Sequence, residues 1–166
     1  MTQQTSPDAR RPRLTDAIQA LLVSHGVPHR VLDHPPATTS EEVARLRGTP
    51  FEAGAKALIC HLDDSLALIV VPADRRLNSR ALKNATGARN VRMMDASAMT
   101  ERFGIPVGAV PPFGSLLGLK TYADRAIVER EMIAFNIGRR DRSVTMRGPD
   151  YAAIERPVVG EFAAGP

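Results

Sequence analysis

A stretch rich in glycine and proline, GIPVGAVPPFGSLLG from Gly104 to Gly118, has the composition of a backbone binding loop. Its prolines fix φ and remove amide donors, and its glycines permit positive φ, so neither a helix nor a central strand fits. Between Gly108 and Pro112 we predict that the N–H groups of Gly108, Ala109 and Val110 are free to face a ligand. An ordinary surface connection rich in turn residues has the same composition, and this alternative stays open.

Lys56 is the side chain best placed to complement such a loop. It lies in the sequence GAKAL, at the mouth of an apolar segment of strand length, where a long cation needs either solvent or an anionic partner. A charge that protects a strand end from aggregation is the alternative explanation.

Several other chemistries have little support in the sequence. His25 and His29 have the spacing of two metal ligands on a helix, but Gly26 and Pro28 interrupt the helix that would bring them together, so we predict no metal site. Cys60 is the single cysteine, which excludes an internal disulfide, and its place within a strand favours a buried, inert thiol. There is no P-loop and no dinucleotide-binding motif, and we therefore expect no cofactor.

The composition indicates a single compact domain with a basic surface. The chain has 166 residues, 43% of them hydrophobic, and a formal charge of +4. It lacks both the apolar run of about 20 residues that crosses a bilayer and a secretory signal, so we expect a cytoplasmic protein with no membrane partner. The excess of arginine suits a partner that carries phosphates, although the clusters could also be ordinary solvated faces. The arginines that we predict to contact phosphate are Arg75, Arg76, Arg80, Arg139 and Arg140.

Hydrophobic periodicity and capping residues predict the elements that position these groups. We predict a disordered leader over residues 1–13, a folded domain over 14–160 and a tail over 161–166 that frays. The expected helices begin at Leu14, Thr39, Asn78 and Asp95, with a short turn over 151–154. The expected strands cover 29–33, 56–62, 66–72, 91–93, 119–123, 132–136 and 143–146, of which 66–72 should be central because it is apolar throughout. This order indicates an α/β (α+β) fold in which one curved, mixed, barrel-like sheet is surrounded by helices.

Four segments together resemble one family, the YbaK-like, prolyl-tRNA synthetase editing-domain family of aminoacyl-tRNA deacylases. They are HPPATTSEEVARLRG around Thr38, GAKALIC around Lys56, VVPADRRLNSRAL, and GAVPPFG, which matches the family's G-x-x-x-P signature through Gly108 and Pro112. The resemblance covers roughly residues 14–160.

The resemblance implies a trans-editing hydrolase that removes a small amino acid, of the Ala, Ser, Thr or Cys class, from mischarged tRNA. Its partners would be the 3′ aminoacyl-adenosine end of tRNA and, as a further candidate, an aminoacyl-tRNA synthetase. It implies that Lys56, Gly108 and Pro112 are the catalytic positions, with Lys56 on the phosphate or the terminal adenosine, and that the tRNA's own 2′-hydroxyl and a water assist hydrolysis. The implied substrate-binding residues are Thr38, Ala57, Ala109, Val110, Pro111, Phe113, Gly114, Asn136 and Gly138.

Three departures from the family pattern bear on specificity. In the late strand, where relatives place a Ser or His that faces the substrate, this chain has Asn136 followed by Gly138. Ala57 stands where Thr or Asn often follows the lysine, and Pro111 stands where Ser or Thr often precedes the motif proline. The changes at Ala57 and Pro111 both remove a polar group, which leaves the amino acid undetermined and keeps a second hypothesis open: a non-catalytic module of the same fold that binds tRNA or a synthetase.

Overall fold

The computed structural model describes residues 7–165 and contains six α-helices and eight strands within that range. The helices are α1 Pro7–Ser24, α2 Ser40–Arg47, α3 Ser79–Thr86, α4 Ala96–Phe103, α5 Arg125–Glu129 and α6 Gly148–Glu155. The strands are β1 His29–Asp33, β2 Ala55–Leu62, β3 Ser65–Pro72, β4 Val91–Met93, β5 Lys120–Asp124, β6 Ile133–Asn136, β7 Arg142–Met146 and β8 Val158–Gly160. Short 3-10 turns cover Phe51–Ala53 and Gly114–Leu117.

The predicted helix starts are confirmed at three capping residues. The side chains of Thr39, Asn78 and Asp95 accept hydrogen bonds from the free N–H groups of the first turns of α2, α3 and α4. α1 instead begins at Pro7, so residues 7–13 of the predicted leader are helical, and residues 1–6 lie outside the described residues.

The strands form two sheets. A five-stranded mixed sheet has the order β4-β2-β3-β5-β8, and a three-stranded antiparallel sheet has the order β1-β7-β6. The predicted hairpin is confirmed: β2 and β3 pair antiparallel around a turn at Asp63 and Asp64. β3 is central, as predicted, because it lies between β2 and β5, and its residues Leu68–Val71 are fully buried.

The predicted α/β architecture is confirmed, but the sheet does not close into a barrel. One bridge between Gly54, before β2, and Ala134 of β6 joins the two sheets. The start of β2, the strand β6 and part of the loop 104–118 lie together at this junction.

The segment after β8 is held against the fold, whereas we predicted that it frays. Phe162 is 2% exposed and packs edge-to-face on Tyr122, with ring centroids 6.0 Å apart. Asp124 Oδ2 accepts hydrogen bonds from the N–H groups of Phe162 and Ala163, at 2.9 Å each. A buried aromatic ring and satisfied backbone donors therefore fix residues that look weakly apolar in sequence.

Candidate functional site

A cleft of about 210 Å³ opens where the start of α2, the start of β2, the loop before β5 and the strand β6 meet. This volume is below the roughly 300–1,000 Å³ of sites for drug-sized ligands, so the cleft suits a small group. It is lined by Ala37, Thr38, Thr39, Ser40, Val43, Arg47, Gly54, Ala55, Lys56, Ala57, Leu58, Ala73, Val107, Gly108, Val110, Ala134 and Asn136.

Lys56 enters the cleft from the second position of β2. The junction beneath it is tight, because a Cβ added to Gly54 would lie 2.7 Å from the Cβ of Ala73. Lys56 Nζ donates to the carbonyl oxygen of Arg75 at 2.9 Å. Burial lowers the pKa of Lys56, Asp74 partly offsets that shift, and Arg76 lowers the pKa further. The lysine is therefore a cation that lacks full hydration and favours an anionic ligand.

The loop reaches the cleft through a tight turn from Pro106 to Ala109. Gly108 occupies the third position of this turn. Its φ of +83° is a value that residues with a side chain rarely adopt. The Ala109 N–H donates to the Pro106 carbonyl at 3.1 Å, so our prediction that this group is free was wrong. Among the described residues, the N–H groups of Gly108 and Val110 make no hydrogen bond, and both residues line the cleft.

The second half of the loop is anchored in the core and does not line the cleft. The Tyr151 hydroxyl donates to the Pro112 carbonyl at 2.7 Å. The Phe113 ring packs edge-to-face on Phe135 and Tyr151, with centroid distances of 5.6 and 5.4 Å. Gly114 is required by close approach, because an added Cβ would lie 2.8 Å from the Leu119 carbonyl oxygen. These contacts fix the shape of the loop that presents Gly108.

Asn136 connects the loop to the floor of the cleft. Its Nδ2 donates to the Gly108 carbonyl at 2.6 Å, and its Oδ1 accepts from Ser143 Oγ and from Arg47 Nη2, both at 2.9 Å. Ser143 Oγ also lies 2.7 Å from His34 Nε2. This polar network determines where the Gly108 carbonyl lies, and the sequence analysis identified only Asn136 among its side chains.

The structure brings together six of the predicted substrate-site residues: Thr38, Lys56, Ala57, Gly108, Val110 and Asn136 all line the cleft. The other predicted positions are buried behind it, namely Ala109, Pro111, Pro112, Phe113, Gly114 and Gly138. Gly138 supports the loop from behind, because its N–H donates to the Ala109 carbonyl at 2.9 Å. Of the departures from the family pattern, Ala57 and Asn136 are therefore in the cleft, and Pro111 and Gly138 are not.

The predicted phosphate-binding arginines lie in different environments. Arg76 and Arg80 are exposed and form no ion pair among the described residues, whereas Arg75 is half-buried. Arg139 is paired with Asp141 through two hydrogen bonds of 2.8 and 3.0 Å. Arg140 Nε donates to the Val107 carbonyl at 2.7 Å, so this arginine holds the binding loop.

Clusters of metal-ligating side chains and membrane-spanning helices are both absent from the described residues. Residues 7–165 contain no group of three or more His, Cys, Asp and Glu side chains that could hold a metal ion. No helix in the same range is both long enough and apolar enough to cross a membrane.

Comparisons with known proteins identify the family of the chain. The model of the family described as "Aminoacyl-tRNA editing domain" matches residues 34–154. The chain is 32% identical to the multifunctional Ser/Thr-tRNA deacylase ProXp-y of Escherichia coli K12, over 98% of each chain. It is also 33% identical to 81 residues of the proline–tRNA ligase of Thermosipho africanus, which cover 49% of this chain and 14% of the ligase.

Solved structures share the fold. A protein described as hypothetical superposes with a TM-score of 0.80 at 26% identity, over 89% of this chain and 99% of that one. A protein proposed to be a trans-editing enzyme for prolyl tRNA synthetase superposes with a TM-score of 0.77 at 22% identity, over 98% of this chain and all of that one.

Proposed function

The chain belongs to the aminoacyl-tRNA editing domain family, and on that premise we propose that it hydrolyses the ester of tRNA mischarged with a small amino acid. The single observation that carries the proposal is the meeting of Lys56 and Gly108 in one small cleft. The similarity to ProXp-y extends over 98% of both chains, which supports action in trans on a tRNA that a synthetase has already released. We further propose that residues 14–160 form the editing domain.

The lining of the cleft supports catalysis by positioning. None of its described lining residues is His, Asp, Glu or Cys. Among the described residues Lys56 donates to the Arg75 carbonyl and makes no hydrogen bond with a hydroxyl of the cleft, so no pair of nucleophile and base is assembled there. Water then attacks the ester carbonyl, the bond to the ribose oxygen breaks, and the products are a free amino acid and a tRNA with a free hydroxyl. We propose that the 2′-hydroxyl of the terminal ribose assists the water, while Lys56 and the loop hold the substrate.

The walls of the cleft favour a small side chain on the substrate. Val43, Ala57, Val110 and Ala134 make one part apolar, and Thr38 with its neighbouring hydroxyl residues makes another part polar. The relative ProXp-y is named for Ser and Thr, and a cleft of about 210 Å³ with both kinds of surface suits such side chains. We propose serine and threonine as the first amino acids to test.

This function would place the protein in the cytoplasm, where tRNA is charged. An aminoacyl-tRNA synthetase is a candidate partner, since proline–tRNA ligases are among the relatives of this chain.

The test is a panel of tRNAs charged with Ala, Ser, Thr, Cys or Pro, in which loss of the labelled ester is followed with and without the protein. We expect the protein to accelerate the loss of at least one of the small non-cognate amino acids. It should not accelerate the loss of proline from correctly charged proline tRNA. Binding of tRNA without acceleration of any ester would favour the non-catalytic module instead.

A further inference from the structure

Arg47 is a second cation in the cleft, and the sequence analysis did not predict it as a site residue. It is the last residue of α2, where the partial negative charge of the helix C-terminus favours a cation, and its side chain lines the cleft. Burial lowers its pKa to about 10, so the guanidinium remains charged at neutral pH although it has lost much of its hydration.

Neutral acceptors hold one edge of this guanidinium. Arg47 Nε donates to Ser143 Oγ at 2.7 Å, and Nη2 donates to Asn136 Oδ1 at 2.9 Å. Arg47 forms no ion pair with any carboxylate in the described range. The charge is therefore oriented but not neutralised by the protein.

The other edge of the guanidinium is available to a ligand. Arg47 Nη1 makes no hydrogen bond among the described residues, and this nitrogen is not fully buried. Solvent therefore reaches Nη1. Because Arg47 lines the cleft, a group bound there can accept its N–H donors.

We propose that Arg47 binds a phosphodiester oxygen of the RNA, at the linkage that joins the 3′-terminal adenosine to the preceding nucleotide. This inference rests on the proposed function, because it assumes that the 3′ end of tRNA enters the cleft. The cleft has two cations, Arg47 and Lys56, and its described lining has no carboxylate. The esterified aminoacyl group has no negative charge to neutralise two cations, whereas the phosphodiester is the fixed negative charge nearest to it. A guanidinium also has the fork geometry that phosphate oxygens accept.

The experiment is a binding cycle that does not depend on catalysis. A synthetic acceptor-stem RNA with the single-stranded 3′ end is compared with the same RNA whose last linkage is a neutral methylphosphonate. Affinity for both is measured with the wild-type protein, Arg47→Gln and Arg47→Lys. The matched control is Arg45→Gln, which removes an exposed arginine two residues earlier on the same helix.

We expect the methylphosphonate to weaken binding roughly tenfold or more to the wild type and to Arg45→Gln, and less than about twofold to Arg47→Gln. Arg47→Lys keeps a cation, so the methylphosphonate should still weaken its binding, but by less than for the wild type. An equal loss for wild type and Arg47→Gln, or no loss for the wild type, would overturn the proposal. If the deacylation panel is negative while the cycle shows this coupling, the proposed function fails and the Arg47 contact stands.

Discussion

The ammonium group of Lys56 is held by the backbone carbonyl of Arg75, at a distance of 2.9 Å. Arg75 follows β3, the strand that pairs with the strand of Lys56, so the lysine is oriented by a neighbouring chain segment and not by a carboxylate. One hydrogen bond to a neutral acceptor leaves its charge available to a ligand. The position of the segment after β3 therefore affects the cleft directly.

Replacement of Lys56 by methionine should separate function from stability. The side chain keeps its length but loses a partly desolvated charge, so the melting temperature should stay unchanged or rise slightly. A cation that contacts substrate contributes a charge-assisted interaction, and its loss should lower kcat/KM for the best substrate of the panel by roughly ten- to a hundredfold. Lys56→Arg should restore little activity, because a planar fork does not replace a compact ammonium. Full activity of Lys56→Met would refute the assignment of this residue.

The C-terminal segment should influence Lys56 from a distance. The Ala164 N–H donates to the Arg76 carbonyl at 2.7 Å, and Leu77 and Ala163 form a bridge, so this segment fixes the residues next to the Lys56 partner. A chain that lacks residues 163–166 loses both contacts and the hydrogen bond from the Ala163 N–H to Asp124, but it keeps Phe162. We expect its kcat/KM, measured at matched folded fractions, to fall about threefold or more. Deletion of residues 165–166 alone is the control, and equal activity of the two truncated proteins would contradict this coupling.

Features that depend on neighbours in the sequence could be predicted, and contacts between distant residues could not. The caps at Asn78 and Asp95 use backbone groups two or three residues away, which is why the local sequence pattern located them. The bonds of Arg47 to Ser143 and Asn136 span 96 and 89 residues, and nothing near Arg47 in sequence distinguishes it from an exposed arginine of the same helix.

The same limit explains the missed elements of the fold. α5 has five residues, which is too short for a periodic pattern to emerge, and β8 is a three-residue strand fixed by its parallel pairing with β5, a strand distant in sequence. The C-terminal segment is fixed by Asp124, 38 residues earlier than Phe162, so its order could not be read locally.

The positive φ of Gly108 should be required for activity, because this residue lines the cleft. Gly108 and Gly118 both have positive φ, of +83° and +71°, and an added Cβ would meet no atom closer than 3.8 Å at either position. Alanine at either site should therefore cost about 1 kcal/mol of unfolding free energy through backbone strain. Only Gly108→Ala should also lower kcat/KM, because Gly108 lines the cleft and Gly118 does not. Equal activity of the two variants, measured at matched folded fractions, would show that the turn at Gly108 has no role in binding.

Salt dependence should distinguish the arginines that can reach phosphate. Arg76 and Arg80 are exposed, and neither is in an ion pair in the described part of the chain, whereas Asp141 neutralises Arg139. The double variant Arg76→Gln/Arg80→Gln should reduce the slope of log K against log salt for tRNA binding by about 1 to 2. Arg139→Gln should leave the slope nearly unchanged. Unaltered slopes in both variants would assign these charges to solvation, and a larger effect of Arg139→Gln would mean that its ion pair opens on binding.

Cys60 should make the folded protein less stable in alkaline solution. The thiol is fully buried, and burial raises its pKa from 9.0 to about 11. Between these values the unfolded chain releases the proton while the folded protein retains it, so the free energy of unfolding falls as pH rises through this window. The loss should reach about 2 kcal/mol near pH 11.

The measurement is the unfolding free energy of wild type and Cys60→Ala in denaturant, at steps from about pH 8 to about pH 11. Cys60 is the single cysteine, so no other thiol contributes to the difference between the two curves. Cys60→Ala has a constant packing penalty, but it lacks the titrating group. Its stability deficit relative to the wild type should therefore shrink by about 2 kcal/mol across the range, whereas all other titrations cancel. Parallel curves, or alkylation of the folded protein by iodoacetamide at the rate of a free thiol, would show that Cys60 is accessible to solvent.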